Sequence, residues 1–230
     1  MSNHDALNFL PRTRILDYPK GCIIYDHSRP PEYLYLSLMG RVKVYSTAEN
    51  GVQSVLRVVP TEGFFGESVL LPRGEGMRES AAALESVQVM AWTGEQVIAQ
   101  IEREPKLALA LIEYFGKCNL VHRDRVLAFT GYKTGMRVAI GLNQLADNAG
   151  VRLDNGAMRL SGLTHQALGD YIGTTREIVT MEMNHLRRLG YLEYSRRFID
   201  VHSMALAEWM REQGVDFGVR AAGATLRASG

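Results

Sequence analysis

Cysteine is nearly absent: Cys22 and Cys118 in 230 residues are too few for a disulfide framework, a four-thiolate metal site or an iron–sulfur cluster. A reducing compartment fits such a chain. Long apolar runs are absent too, and the first residues lack the pattern of a secretory signal, which excludes a membrane span and secretion as readings. Nor is there an excess of charge of one sign. The 26 Lys and Arg against 25 Asp and Glu leave a formal net charge of +1, so any polyanion-binding surface has to be local. The histidines show no metal-ligand spacing, so no metal is expected. No nucleophile–base pair or Walker loop stands out, which argues against an enzyme. The expectation is a soluble cytoplasmic protein whose function lies in particular segments.

What is present changes period along the chain. Residues 14–18, 22–25, 33–39, 41–45, 54–59 and 87–93 are rich in β-branched and aromatic types. Pro19-Lys20-Gly21, Pro30-Pro31, Gly40, Asn50-Gly51 and Pro60 fall between them as turn signals, and the whole predicts a small barrel or β-roll. One loop inside this region is unusual: Gly63-Phe64-Phe65-Gly66-Glu67-Ser68, running through Pro72, Arg73, Gly74 and Gly76 to Arg78-Glu79-Ser80-Ala81. Its glycines admit backbone amides to an anion, Glu67 would accept from a sugar hydroxyl, and Arg78 would clamp a phosphate or carboxylate. A solvated turn is the plainer alternative.

From Pro105 to about Thr130, the residues Leu107, Leu111, Tyr114, Cys118, Val121, Arg125 and Ala128 alternate spacings of four and three. That pattern predicts a coiled-coil seam and a dimer interface; the alternative is a helix lying on the β-roll. Arg125 on the seam requires an anion, a carboxylate or the partner chain, because an unpaired charge there is costly. Gly131 and Gly135 then mark a hinge, residues 136–148 read as an amphipathic helix, and 150–162 as a loop or small hairpin.

The segment 163–192 carries the sharpest signal. Leu163, Leu168 and Ile172 have helical spacing, Gly173 breaks that helix, and Thr174 with Glu177 has the T-x-x-E spacing of a capping box that starts a second one. Two helices joined at a glycine form a helix-turn-helix, whose second helix can enter a DNA major groove. Its first turn holds Arg176 and Glu177. Arginine bonds guanine O6 and N7 together, and glutamate accepts from the cytosine amino group. A first-turn acid also suits any helix start. The strand at 191–194, the turn Ser195-Arg196-Arg197 and the strand at 198–201 favour the DNA reading, since a basic-tipped wing suits phosphates. One more helix is expected over 204–211, and the tail 219–230, rich in Ala, Gly and Ser, should be loosely ordered.

In this order, over about residues 10–205, the chain resembles the CRP/FNR family, that of the catabolite activator and the fumarate-nitrate regulators. The likeness is most specific in Phe65-Gly66-Glu67 with a downstream Arg-x-Ser-Ala, in Leu127-Ala128-Phe129 before the hinge, and in residues 163–179. The resemblance implies an α+β chain: a cyclic-nucleotide-binding-like β-roll (1–104), a dimerisation helix (105–131), a winged helix-turn-helix (132–206) and a C-terminal extension (207–230). It implies a homodimeric transcriptional regulator on near-palindromic double-stranded DNA, with RNA polymerase as a further partner. Thr164, His165, Gln166 and Thr175 would hold phosphates, Arg176 and Glu177 would read bases, and Thr174, Thr180, Arg196 and Arg197 would complete that face. An effector pocket would use Gly66, Glu67, Ser68, Arg78, Ser80, Arg123 and Arg125.

The chain departs from the family pattern at several of these positions. Glu79 separates Arg78 from Ser80-Ala81, whereas the family's cyclic-AMP sensors carry Arg-Ser-Ala contiguously. Leu120 and Val121 stand where those sensors place hydroxyl residues for the adenine, and an apolar pair cannot replace those hydrogen bonds. Cyclic AMP is therefore disfavoured. Relatives that sense 2-oxoglutarate place charged groups on this helix, a role open to Arg123 or Arg125. The expected effector is a small anion of that kind, or none, with a degenerate pocket. On the DNA side, Met181 stands where a third base-reading arginine is frequent and Glu182 at a usually apolar position, which should relax the third base of the half-site.

Overall fold

The structure is a computed structural model that describes residues 6–72 and 79–215; Arg78 and the tail 219–230 lie outside the described residues. Strands β1 (Ile15–Tyr18), β2 (Ile23–Tyr25), β3 (Tyr33–Met39), β4 (Val42–Thr47), β5 (Gln53–Val59), β6 (Phe64–Phe65), β7 (Glu79–Ala83) and β8 (Val87–Thr93) form two antiparallel four-stranded sheets, ordered β1-β8-β3-β6 and β2-β7-β4-β5. Their inner faces share a core of Tyr25, Tyr35, Val42, Val44, Val59, Phe65, Val87 and Val89. A half-buried strand alternates apolar and polar residues, yet Leu34, Tyr35 and Leu36 are buried in succession, because both faces of β3 are covered. Leu34, Leu36, Phe64 and Trp92 on the outer face of the first sheet meet helices α1 (Gly94–Arg103) and α2 (Lys106–Gly131) through Val97, Leu107, Ala110 and Leu111.

The outer face of the second sheet is covered by the C-terminal half. There Tyr45, Val55, Val58, Ala82 and Leu84 join one core with α3 (Thr134–Ala149), α4 (His165–Ile172), α5 (Arg176–Arg188) and α6 (Ser203–Glu212). Strands β9 (Val151–Arg152), β10 (Met158–Ser161), β11 (Leu192–Tyr194) and β12 (Phe198–Val201) make a third sheet ordered β11-β12-β10-β9. The hairpin expected before α4 thus pairs with the wing, and Arg159 on β10 bonds Asp200 on β12 through two nitrogens, at 2.6 and 2.7 Å.

Helix α1 and strand β7 escaped the sequence reading, as did the two-residue strand β6 inside the expected loop. Helix α1 starts at a capping box between Thr93 and Gln96, a T-x-x-Q signal hidden against the end of a strand. Strand β7 is Glu-Ser-Ala-Ala-Ala, poor in β-formers, and forms as a largely buried strand paired on both sides, with β2 and β4. Residues 79–81 therefore belong to a paired strand.

The seam on the long helix needs correcting. Leu107 and Leu111 are buried against the chain's own β-roll. The Tyr114 hydroxyl accepts from Phe64 N–H at 2.8 Å, Cys118 and Val121 line a cleft facing β5, and Arg125 donates to β5 carbonyls. This stripe seals the helix to the roll. A second apolar stripe, with Leu109, Ile112, Val126 and Leu127 between 50% and 68% exposed, lies on the opposite side of α2. Spacing alone identifies an apolar face but not whether the chain's own roll or a second copy covers it.

Candidate nucleic-acid interface and ligand cleft

Helix α4 begins at Thr164, whose hydroxyl accepts from Ala167 N–H at 3.1 Å. It ends at Gly173, left-handed with φ 71°, where Gly173 and Thr174 both donate to Gly169 O at 2.8 and 3.0 Å. A side chain at 173 would be strained there, and its Cβ would lie 3.0 Å from the Phe129 ring. Because this turn uses Thr174, the expected Thr174–Glu177 capping box does not form. Thr175, extended at φ −85° and ψ 157°, is the N-cap and accepts from Ile178 N–H at 3.4 Å.

Helix α5 buries Val179, Met183 and Leu186 and leaves Arg176, Glu177 and Met181 exposed. The Glu177 carboxyl is held below the usual carboxylate range by its own backbone N–H, then by the Thr175 hydroxyl. Thr180 is a brace: its hydroxyl donates to Arg176 O at 2.8 Å and lies 2.8 Å from His165 Nδ1. The His165 ring stands edge-on to Tyr194 at 5.3 Å between centroids, and Tyr194 donates to Asn184 at 2.8 Å. One histidine therefore joins the first turn of α4, the recognition helix and the wing strand. Burial, then the Arg176 charge, pushes its pKa below the ordinary imidazole value. Gln166 donates to Asp170 at 2.8 Å along α4, and Arg196 and Arg197 are exposed at the wing tip. The Glu182 carboxylate lies against the first turn of α3, where a Cβ on Gly135 would come within 2.9 Å of its Oε2.

Among the described residues, Gly66, Glu67, Ser68, Ser80, Arg123 and Arg125 of the expected effector set do not line the cleft between β5 and α2. Glu67 pairs with Arg57 of β5 at 2.5 Å. Tyr25 and Ser68 hydroxyls donate to Glu79, at 3.0 and 3.4 Å, and burial together with the Glu67 charge pushes the Glu79 carboxyl up. Gly66 (φ 77°) serves close packing, since its Cβ would lie 2.6 Å from Tyr33 O, and Ser80 is buried within β7. Arg123 is exposed beside Asp124, while Arg125 turns to β5. Residues two apart on a helix point about 200° apart, so these arginines could not share one ligand. Arg57 went unnoticed in the sequence; its signal was a lone charge inside the apolar run Val55-Leu56-Arg57-Val58-Val59.

Between β5 and α2 lies a cleft of about 320 Å³, lined by Leu56, Arg57, Tyr114, Cys118, Val121 and His122 and closed by Leu145 and Tyr171 of the C-terminal half. The cations lining it are both engaged, Arg57 with Glu67 and Lys117 with Glu113. Burial, then the charges of Arg125 and Arg57, holds His122 below the usual imidazole range. Among the described residues, no three His, Cys, Asp or Glu side chains converge as a metal site would need, and no helix is long and apolar enough to cross a membrane.

Residues 15–104 match the family model of the cyclic nucleotide-binding domain, and residues 136–207 that of the Crp-like helix-turn-helix domain. The cyclic AMP receptor protein of Thermus thermophilus is 29% identical over 192 residues, 83% of this chain and 85% of that protein. The global nitrogen regulator of Nostoc sp. is 26% identical over 186 residues, 80% of this chain and 83% of that one. Among solved structures, FixK2 from Bradyrhizobium japonicum superposes with a TM-score of 0.74 at 22% identity, covering 86% of this chain and 97% of its own, which is a likeness of fold.

Proposed function

The chain belongs to the CRP/FNR family of DNA-binding transcriptional regulators, and from that footing we propose that it works as a homodimer on a near-palindromic duplex, reading base edges with Arg176 and Glu177. The observation that carries this is the Thr175-capped start of α5, which holds both side chains exposed beside a His165 brace to the wing. Thr164, His165, Gln166, Thr175, Arg196 and Arg197 then face phosphates, and RNA polymerase is the further partner. The outward-facing Leu109, Ile112, Val126 and Leu127 form the surface for the second copy, since exposed apolar residues on the side of the long helix turned away from the roll suit helix pairing.

A specific observation favours the effector-independent reading over a small-anion sensor. Arg57 is already neutralised by Glu67, and Arg123 points away from the roll. Selection from random duplexes should return an inverted repeat with G·C pairs at the read positions. Arg176→Ala or Glu177→Ala should each weaken binding by about 1–3 kcal/mol and relax one base of each half-site. Unchanged affinity in both variants would refute the base-reading role. Titration calorimetry with cyclic AMP and with 2-oxoglutarate should give no binding heat; saturable heat with either would restore the effector reading.

A further inference from the structure

We propose that Arg125 and Tyr171 form a latch by which the β-roll holds the DNA-reading half in place, a device that rests on the DNA-binding reading above. The β4–β5 register slips between Val44 and Tyr45: Val44 faces Arg57, Tyr45 faces Val55, and Leu56 is the extra residue. A bulge disturbs the ladder and leaves backbone groups in want of partners. Arg125 of the long helix supplies one, its Nη1 donating to Val55 O at 3.0 Å and Leu56 O at 2.7 Å. The same guanidinium lies over the Tyr171 ring, its carbon 4.6 Å from the centroid, and Tyr171 is buried on α4. One side chain thereby ties a bulged strand, the long helix and the first helix of the DNA-reading pair.

Arg125 Nη1 makes both carbonyl bonds, so the hold of the guanidinium on the strand depends on one planar fork. The connection between the halves is short, α2 ending at Gly131 and α3 starting at Thr134, so loss of the latch frees rotation about a defined point. Leu56 and Tyr171 also line the cleft, which therefore borders both sides of the latch. Arg125→Met keeps the packing stem and removes donors and charge; Arg125→Lys keeps the charge and loses the planar fork.

Hydrogen exchange on the full-length protein tests this. In Arg125→Met, amides of 53–59 and 165–172 should exchange about tenfold faster together, while those of 33–39 stay as they were. Affinity for the selected operator should fall about fivefold, because unlatched halves sample wrong half-site spacings. Tyr171→Leu should do the same, the double variant should be no worse than either single one, and Arg125→Lys should fall between. Unaltered exchange in 53–59 and 165–172 in the methionine and lysine variants, or additive losses in the double variant, would overturn the latch. Arg176→Ala separates the two proposals: it should lower DNA affinity with exchange in 53–59 unchanged, so failure of base reading and failure of the latch give different patterns.

Discussion

Arg57 with Glu67 in the β-roll, and Arg176 with Glu177 at the head of α5, are the same two residue types under opposite conditions. The first pair is drawn from β5 and the turn after β6, largely shielded from solvent, and closed at 2.5 Å. Each has consumed the other's charge. The second pair is adjacent on a helix, where neighbours point about 100° apart and cannot face one another, so both remain presented outward. Side-chain chemistry is therefore no guide to a ligand site until one knows which groups already answer each other.

The sharpest way to break this comparison is to remove half of the inner pair. Glu67→Gln should destabilise the fold by about 2–3 kcal/mol in urea unfolding, discounted for the partial exposure of Glu67, because Arg57 stays shielded without its counter-charge. Adding Arg57→Met should recover most of that loss. A silent Glu67→Gln would mean that the inner pair is as free as the outer one. The two faces of α2 offer the next test. Ile112→Glu with Leu127→Glu should leave folding intact but shift the protein to monomer in sedimentation velocity, each charge opposing about 1.5–3 kcal/mol of apolar burial. A dimer unaffected by both would place the interface elsewhere.

Smaller effects sharpen the outer pair. Thr175→Ala should cost about 1 kcal/mol of stability by removing the cap under Arg176 and Glu177, whereas Thr174→Ala should cost little. Equal losses would return the cap to the position expected from spacing. The slightest effect belongs to Glu79, whose carboxyl titrates above the ordinary range because it is buried beside Glu67. A raised acid stabilises the fold most below its unfolded pKa, and that contribution disappears as pH rises through the folded value. Thermal melts across that acidic window should show the slope in the parent and a flatter profile in Glu79→Gln.

The DNA-facing half was readable because its signals are local. A glycine at the left-handed turn, a threonine cap and a basic-tipped hairpin each lie within a few residues of the feature they specify, and the cap was misplaced by one residue only because the Gly169 carbonyl draws Thr174 into the turn. Strand β7 and helix α1 were hidden for opposite reasons. One has alanines where strands usually carry larger residues; the other starts on the last residue of a strand. The pairing of Glu67 was not readable, because Arg57 and Glu67 meet only once β5 and the following turn are folded.

From residue order alone came the family resemblance, the α+β class, the succession of strands, long helix and winged helices, and the presentation of Arg176 and Glu177. These depend on propensities, caps and turns, which act over a few bonds. Folding in three dimensions decided which stripe of α2 turns inward, that Glu67 is spoken for, and that Arg125 serves a bulged strand and a tyrosine 46 positions further along the chain. An apolar face in a linear pattern does not say what covers it, and a charge has no partner until distant segments meet. Only the sheet that buries the inward stripe, and the low-dielectric space behind it, decides both.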